Sequence, residues 1–328
     1  MALLEINNLQ THFFTSAGTV KAVDGVSYAV NEGETVAVVG ESGCGKSVTA
    51  MSILRLIPWP PGKIIGGKIK FDGKELLELD DQGMRNIRGR DIGMIFQEPM
   101  TSLNPVLTIG LQLTETLLAH TDITEKQARE RAVELLGMVG ISEPDRRLEQ
   151  YPHHLSGGMR QRVVIAMALS CEPKLIIADE PTTALDVTIQ AQILELMKDL
   201  TKQMGVAMIV ITHNLGVVAR YADRVNVMYA GRIIESGSAP DIYYRAKHPY
   251  TLALLKSIPR MDKVRQAKLD PVEGQPPDLS KLGEGCPFRP RCKFSVLKCE
   301  NSYPPLESSD GSHSVACWES KNIEERVL

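Results

Sequence analysis

The octapeptide Gly40-Glu41-Ser42-Gly43-Cys44-Gly45-Lys46-Ser47 has the residue types and spacing to hold a polyphosphate. It fits G-x-x-x-x-G-K-[ST]. The glycines let backbone N–H groups face phosphate oxygens, the lysine reaches the β- and γ-phosphates, and the hydroxyl ligates Mg²⁺. Lys46 and Ser47 fill the last two places. The apolar run Val36-Ala37-Val38-Val39 ahead of the loop reads as a buried strand. Val48 to Leu54 behind it reads as a helix whose N-terminus favours an anion. A glycine-rich turn that binds nothing is the alternative, and it would need neither flank. The motif in this context predicts a nucleoside triphosphate cradled by Gly40, Ser42, Gly43, Cys44, Gly45, Lys46, Ser47 and Val48.

Three further stretches bear on the same chemistry. Leu175-Ile176-Ile177-Ala178-Asp179-Glu180 is an apolar strand run ending in two carboxylates, where α/β sheets place their ligands. There Asp179 suits a Mg²⁺ shell and Glu180 suits polarising an attacking water. A strand from Val206 to Ile211 ends at Thr212-His213, so His213 either contacts a γ-phosphate or is structural. Leu155-Ser156-Gly157-Gly158 opens an apolar helix. Ser156 is a good N-cap, and two glycines at a helix start expose donors, giving either a second anion site or a plain cap.

The elements that must position these residues follow from the patterning. Residues 1–35 alternate apolar and polar over short runs and turn at Asn31-Glu32-Gly33-Glu34, predicting an antiparallel hairpin region. Phe13 and Phe14 lie on it, where an aromatic either stacks on an adenine or fills the core. Strands are predicted around 64–73 and 91–96. Roughly 105–150 reads as a helical insert, with a capping box at Thr124 and Gln127, apolar spacing through Val139 and a stop at Gly140. Ala184-Leu185-Asp186 leads into a long amphipathic helix through Lys202, and 223–237 reads as a hairpin turned at Ala230-Gly231. Beyond 260 the composition shifts to charge, Pro and Gly, predicting an irregular tail rather than another α/β layer.

Bulk properties bound the reading. The 328 residues suffice for one large α/β domain and a smaller piece. Hydrophobic content of 43% and a formal charge of -3 fit a soluble globular chain with no general attraction to nucleic acid. No run of about 18 apolar residues predicts a membrane span. The start lacks a signal-peptide layout, so a reducing cytosol and free thiols are expected. Four of the six cysteines crowd into the tail as Cys286-x5-Cys292-x6-Cys299-x17-Cys317. Free thiols, structural zinc and an iron–sulfur cluster compete here. Zinc lacks its usual close Cys-x₂₋₄-Cys pairs, whereas a cluster needs four thiolates at tolerant spacing. Cys44, inside the loop, and Cys171, after the apolar helix that Ser156 caps, are excluded from that group, and His313 is a possible substitute ligand.

Together the phosphate loop, Gln97, Leu155-Ser156-Gly157-Gly158, the run into Asp179-Glu180, Ala184-Leu185-Asp186 and His213 resemble, in identity and order, the ATPase subunit of an ABC transporter. The resemblance covers about residues 1–250. Met159 departs from it, standing where the family usually has glutamine. Gln97-Glu98-Pro99-Met100-Thr101-Ser102-Leu103-Asn104-Pro105, His248-Pro249-Tyr250-Thr251 and the tail Cys286-Pro287-Phe288-Arg289-Pro290-Arg291-Cys292 resemble the dipeptide and oligopeptide permease branch. Nickel-permease ATPases share much of this. The resemblance implies a P-loop NTPase (RecA-like) α/β core with an antiparallel β subdomain and a helical subdomain at about 100–165. The ATPase domain would cover 1–260, and 261–328 would be a Cys-rich extension.

The implied mechanism is a head-to-tail pair of ATPases, each ATP lying between one chain's loop and the other's Ser156, Gly157 and Gly158. Phe13 would stack on adenine, and Ser47 and Gln97 would ligate Mg²⁺, with Asp179 holding it through water. Glu180 would be the general base and His213 the γ-phosphate sensor. The four cysteines would hold a [4Fe–4S] cluster, with Zn²⁺ as the alternative. Implied partners are two transmembrane permease subunits, a sister ATPase or second copy, and an extracytoplasmic solute-binding protein. The implied location is the cytoplasmic face of the membrane. Soluble ABC ATPases of DNA repair or ribosome recycling are the rival reading, but the long coiled-coil insert or second core they carry is absent. A GTPase or small-molecule kinase would not explain the signature, and no Asn-Lys-x-Asp motif occurs.

Overall fold

The computed structural model describes residues 2–97, 102–182, 186–257 and 272–327. Expectations resting on Glu98 to Thr101, on Ala184 and Leu185, and on 258–271 lie outside the described residues. Strands in chain order are β1 (Ala2–Thr15), β2 (Gly18–Asn31), β3 (Thr35–Val39), β4 (Gly62–Phe71), β5 (Lys74–Glu75), β6 (Ile92–Ile95), β7 (Leu175–Asp179), β8 (Ala207–Thr212), β9 (Arg224–Tyr229), β10 (Arg232–Ser238), β11 (Glu307–Asp310) and β12 (His313–Val315). The chain divides into two compact units. One comprises Met1–Leu3, Val30–Thr35 and Glu78–Ile211, and the other Leu4–Ala29, Val36–Leu77 and Thr212–Leu328.

In the first unit β6, β7 and β8 run parallel, with Ile92 beside Leu175 and Ile177 beside Ile209. Every residue of β7 is buried, as expected of a parallel strand covered on both faces. The helix Gly157–Leu169 packs so closely on β6 that a Cβ at Gly93 would stand 2.4 Å from the Ala168 carbonyl oxygen. The helical insert appears as Ile109–His120, Glu125–Met138 and Pro144–Leu148. Its capping box forms as the spacing predicts: the Thr124 N–H donates to Gln127 Oε1 at 2.9 Å, and the Gln127 N–H to Thr124 Oγ1 at 3.3 Å. Ala128, Ala132, Leu135 and Leu136 then face a core shared with Leu113 and Val163.

In the second unit β2-β1-β4-β5 form one antiparallel sheet, its two leading strands 14 residues each rather than the short runs read from the sequence. A second sheet carries the order β11-β12-β10-β9-β3, with β3 parallel to β9. The tail contributes β11 and β12, so it is less irregular than its composition suggests. β12 pairs with β10 through Glu235 and Ser236, satisfying an edge that would otherwise expose unpaired amides. Phe288 anchors the tail: it is buried, with its ring 5.4 Å from Tyr229 and 5.4 Å from Tyr250. Among the described residues no helix is long and apolar enough to cross a membrane.

Replacing Phe288 with alanine removes that anchor, and a large-to-small change at a buried aromatic costs about 3–5 kcal/mol. The expected result is a lower unfolding midpoint and faster amide exchange across 272–327. Wild-type exchange in that segment would contradict the anchoring role.

Candidate nucleotide site

The phosphate loop leaves the buried strand β3 and enters the helix Lys46–Ile53. Gly45 has φ +104°, and a Cβ there would meet the Ala22 carbonyl oxygen at 2.1 Å. At Gly40 a Cβ would meet the Met228 carbonyl oxygen at 2.2 Å. Both positions thus exclude a side chain for steric reasons in the protein itself. Lys46 is 4% exposed and curls back over the loop, donating from Nζ to the carbonyls of Gly40 (2.8 Å) and Glu41 (3.0 Å). The helix has no side-chain N-cap hydrogen bond, and its N-terminus favours an anion. Ser42 and Gly43 are exposed, Ser47 and Val48 half-buried, and Cys44 buried. Desolvation pushes the Cys44 thiol pKa up, the Lys46 ammonium opposing it in part.

Two contacts to this loop were not legible locally. The Glu41 N–H donates to the Tyr250 hydroxyl at 2.8 Å. The Glu41 carboxylate accepts two bonds from Arg291, Nη1 to Oε2 at 2.7 Å and Nη2 to Oε1 at 2.9 Å. Hydrogen bonding to Glu41 is the largest cause raising the Arg291 pKa above its ordinary value.

In the other unit the end of β7 places Asp179 and Glu180 side by side, both buried. Glu180 has φ +46°, a left-handed backbone uncommon outside glycine and frequent at working sites. Its N–H donates to the Ile211 carbonyl at 2.9 Å, and its Oε2 accepts from Gln97 Nε2 at 3.1 Å. Gln97 follows β6, so the parallel register of β6 and β7 brings a donor and an acid 83 positions apart into contact. Ser156 caps Gly157–Leu169 by accepting from the Met159 N–H at 3.3 Å. Ser156 and Gly157 are exposed, while Met159 is half-buried against the core, which explains how an apolar residue is accepted there.

His213 is exposed directly after β8. Phe13 is half-buried, in register with Gly62, whose missing side chain makes room for the ring. Phe14 is the exposed member of the pair and meets Trp59 edge-on at 6.4 Å. Trp59 escaped the sequence reading because nothing local marks it.

The four tail cysteines line one cavity with Phe288, Cys286 donating its N–H to the Cys299 carbonyl at 2.8 Å. All six cysteines are unpaired thiols. Burial pushes Cys286 up to about 11 and Cys317 up to about 12. Among the described residues no group of three or more His, Cys, Asp or Glu is set to hold a metal ion. The expected cluster therefore finds its four thiols in one place but not in ligand geometry. His313 is turned to Glu235, with Nε2 2.9 Å from Oε1. Cys171 lies elsewhere, its thiol donating to the Thr116 carbonyl at 3.7 Å, and Cys44 stays in the loop.

Residues 23–183 match the ABC transporter family, and 234–299 match the oligopeptide/dipeptide transporter C-terminal region. The chain is 54% identical to the dipeptide transport ATP-binding protein DppD of Bacillus subtilis (strain 168), over 99% of this chain and 97% of that one. It is 52% identical to the oligopeptide transport ATP-binding protein OppD of the same organism, over 96% and 88%. Among solved structures it resembles a dimeric post-hydrolysis state of the ATP-binding cassette MJ0796 bound to ADP and Pi. That likeness has a TM-score of 0.64 at 30% identity, covering 72% of this chain and 98% of that one. The chain belongs to the ABC transporter family as an ATP-binding subunit of its dipeptide/oligopeptide branch.

Proposed function

We propose that this chain hydrolyses ATP to drive import of di- or oligopeptides through a membrane permease at the cytoplasmic face. The observation that carries the ATPase reading is Glu180, a buried carboxylate held by Gln97 beside Asp179. Relatives named for dipeptide and oligopeptide transport support the cargo. Gly40, Ser42, Gly43, Cys44, Gly45, Ser47 and Val48 bind the phosphates. Lys46 exchanges its two loop carbonyls for β- and γ-phosphate oxygens, a stronger charge-assisted contact. Ser47 and Gln97 would ligate Mg²⁺, and Asp179 would hold it through water. Gln97 must then release Glu180, freeing that carboxylate to take a proton from the attacking water as general base. His213 reads the γ-phosphate and Phe13 the adenine.

Ser156, Gly157 and Gly158 serve the nucleotide of a second ATPase, a copy or a sister chain. The exposure of Ser156 and Gly157 supports this, as does the dimeric form of the similar cassette bound to ADP and Pi. ATP enclosed between two chains favours their closed arrangement, and differential affinity is what a ligand needs to shift a conformation. Two transmembrane permease subunits couple that closure to transport, and an extracytoplasmic binding protein delivers the peptide. No nucleic acid takes part.

Cys286, Cys292, Cys299 and Cys317 are the residues that would hold a [4Fe–4S] cluster, which would staple the tail. Their shared cavity supports this. Burial raises the Cys286, Cys292 and Cys317 thiols, so these residues would have to give up their protons and draw together to hold it.

Removing a general base costs about 10²–10⁴-fold in turnover. Glu180→Gln in the permease complex is therefore expected to lose ATP hydrolysis to that extent while still binding ATP; wild-type turnover would remove Glu180 from the role. Dipeptides presented with the binding protein should stimulate hydrolysis by the reconstituted complex, and stimulation by nickel alone would reassign the cargo. Anaerobic purification should yield about four irons and four sulfides per chain, as a four-thiolate cluster requires; stoichiometric zinc without iron would replace that assignment.

A further inference from the structure

Arg291 belongs to the tail, one residue before Cys292, yet its guanidinium lies against the phosphate loop. All five of its N–H groups find acceptors: both Glu41 oxygens, the Tyr229 hydroxyl at 3.3 Å, and the carbonyls of Val272 (3.2 Å) and Glu273 (2.8 Å). Its side chain is 5% exposed, while that of Glu41 is 23% exposed. The rings of Tyr229 and Phe288 lie 6.0 Å and 5.8 Å from the guanidinium carbon. A fork this fully engaged is fixed in direction, and it binds Glu41 bidentately.

Glu41 is the second residue of the phosphate-binding octapeptide. Its N–H is held by Tyr250, its carbonyl accepts from Lys46, and its carboxylate is held by Arg291. A carboxylate beside a site for a triphosphate is a like charge, and unpaired it would repel the ligand. We infer that Arg291 is a positioning residue for the nucleotide site: it neutralises Glu41, fixes it away from the phosphates, and so makes nucleotide affinity depend on the folded cysteine-bearing tail. The inference rests on the nucleotide-binding reading of the loop. It goes beyond that reading by giving the tail a part in binding ATP. By linkage the dependence is mutual: bound nucleotide stabilises the tail's seat on the loop as much as the tail stabilises the nucleotide.

The test measures MgATP dissociation constants on the full-length chain at two salt concentrations, together with unfolding midpoints. Arg291→Ala is expected to bind about tenfold more weakly at low salt, the size of a lost charge-assisted pair, with the deficit shrinking at high salt. Adding Glu41→Gln removes the stranded charge and should restore most of the affinity, while the lowered midpoint from lost packing remains. Arg291→Lys keeps the charge without the fork and should fall between wild type and Arg291→Ala. If Arg291→Ala binds as wild type does, or if the double variant recovers nothing, the inference fails and the nucleotide reading stands. If the wild-type chain binds no MgATP, the nucleotide reading fails first.

Discussion

A buried lysine on a loop of turned amides is the constraint on which the rest of this molecule depends. The Lys46 ammonium rests on two carbonyl oxygens and is almost fully withdrawn from water. Carbonyls stabilise it less than a phosphate would, because the stronger hydrogen bonds are those in which both partners are charged. The loop is thus already shaped, and a phosphate would hold its lysine more strongly than these carbonyls do. That shape depends on features distant in sequence. β3 must be buried to aim the loop, Ala22 and Met228 must approach where only glycine fits, and Tyr250 and Arg291 must hold Glu41.

The acidic end of β7 solves a different problem. Two adjacent carboxylates in a buried position repel one another and resist desolvation, so their surroundings must direct them apart. The left-handed backbone at Glu180 turns its side chain off the line of the strand, and Gln97 holds it there. Such local strain persists only where packing over-determines it. Here the fully buried β7, in register with β6 and β8, supplies that packing.

Much of this was readable in the chain itself, for physical reasons. The phosphate loop, the Thr124 capping box, the Ser156 cap and the turn at Ala230-Gly231 are local signals, in which spacing alone determines the hydrogen bonds. The run Leu175 to Asp179 was legible because a strand buried on both faces is apolar throughout. The unread features are contacts between distant segments. Periodicity carries no information about Arg291 meeting Glu41 across 250 positions, nor about β12 completing the edge at β10. The tail read as irregular because its strands are short, four and three residues, and its order comes from Phe288 rather than from patterning. The positive φ at Glu180 was equally invisible, since glutamate in a left-handed conformation is imposed by its surroundings.

Under the proposed function two chains enclose the nucleotide between one chain's loop and the other's Ser156-Gly157-Gly158. Light scattering of the Glu180→Gln chain, alone and mixed with its sister ATPase, measures that directly. With MgATP the molar mass should double to that of a pair, and with MgADP it should return to that of single chains. Single chains under both conditions would contradict the account.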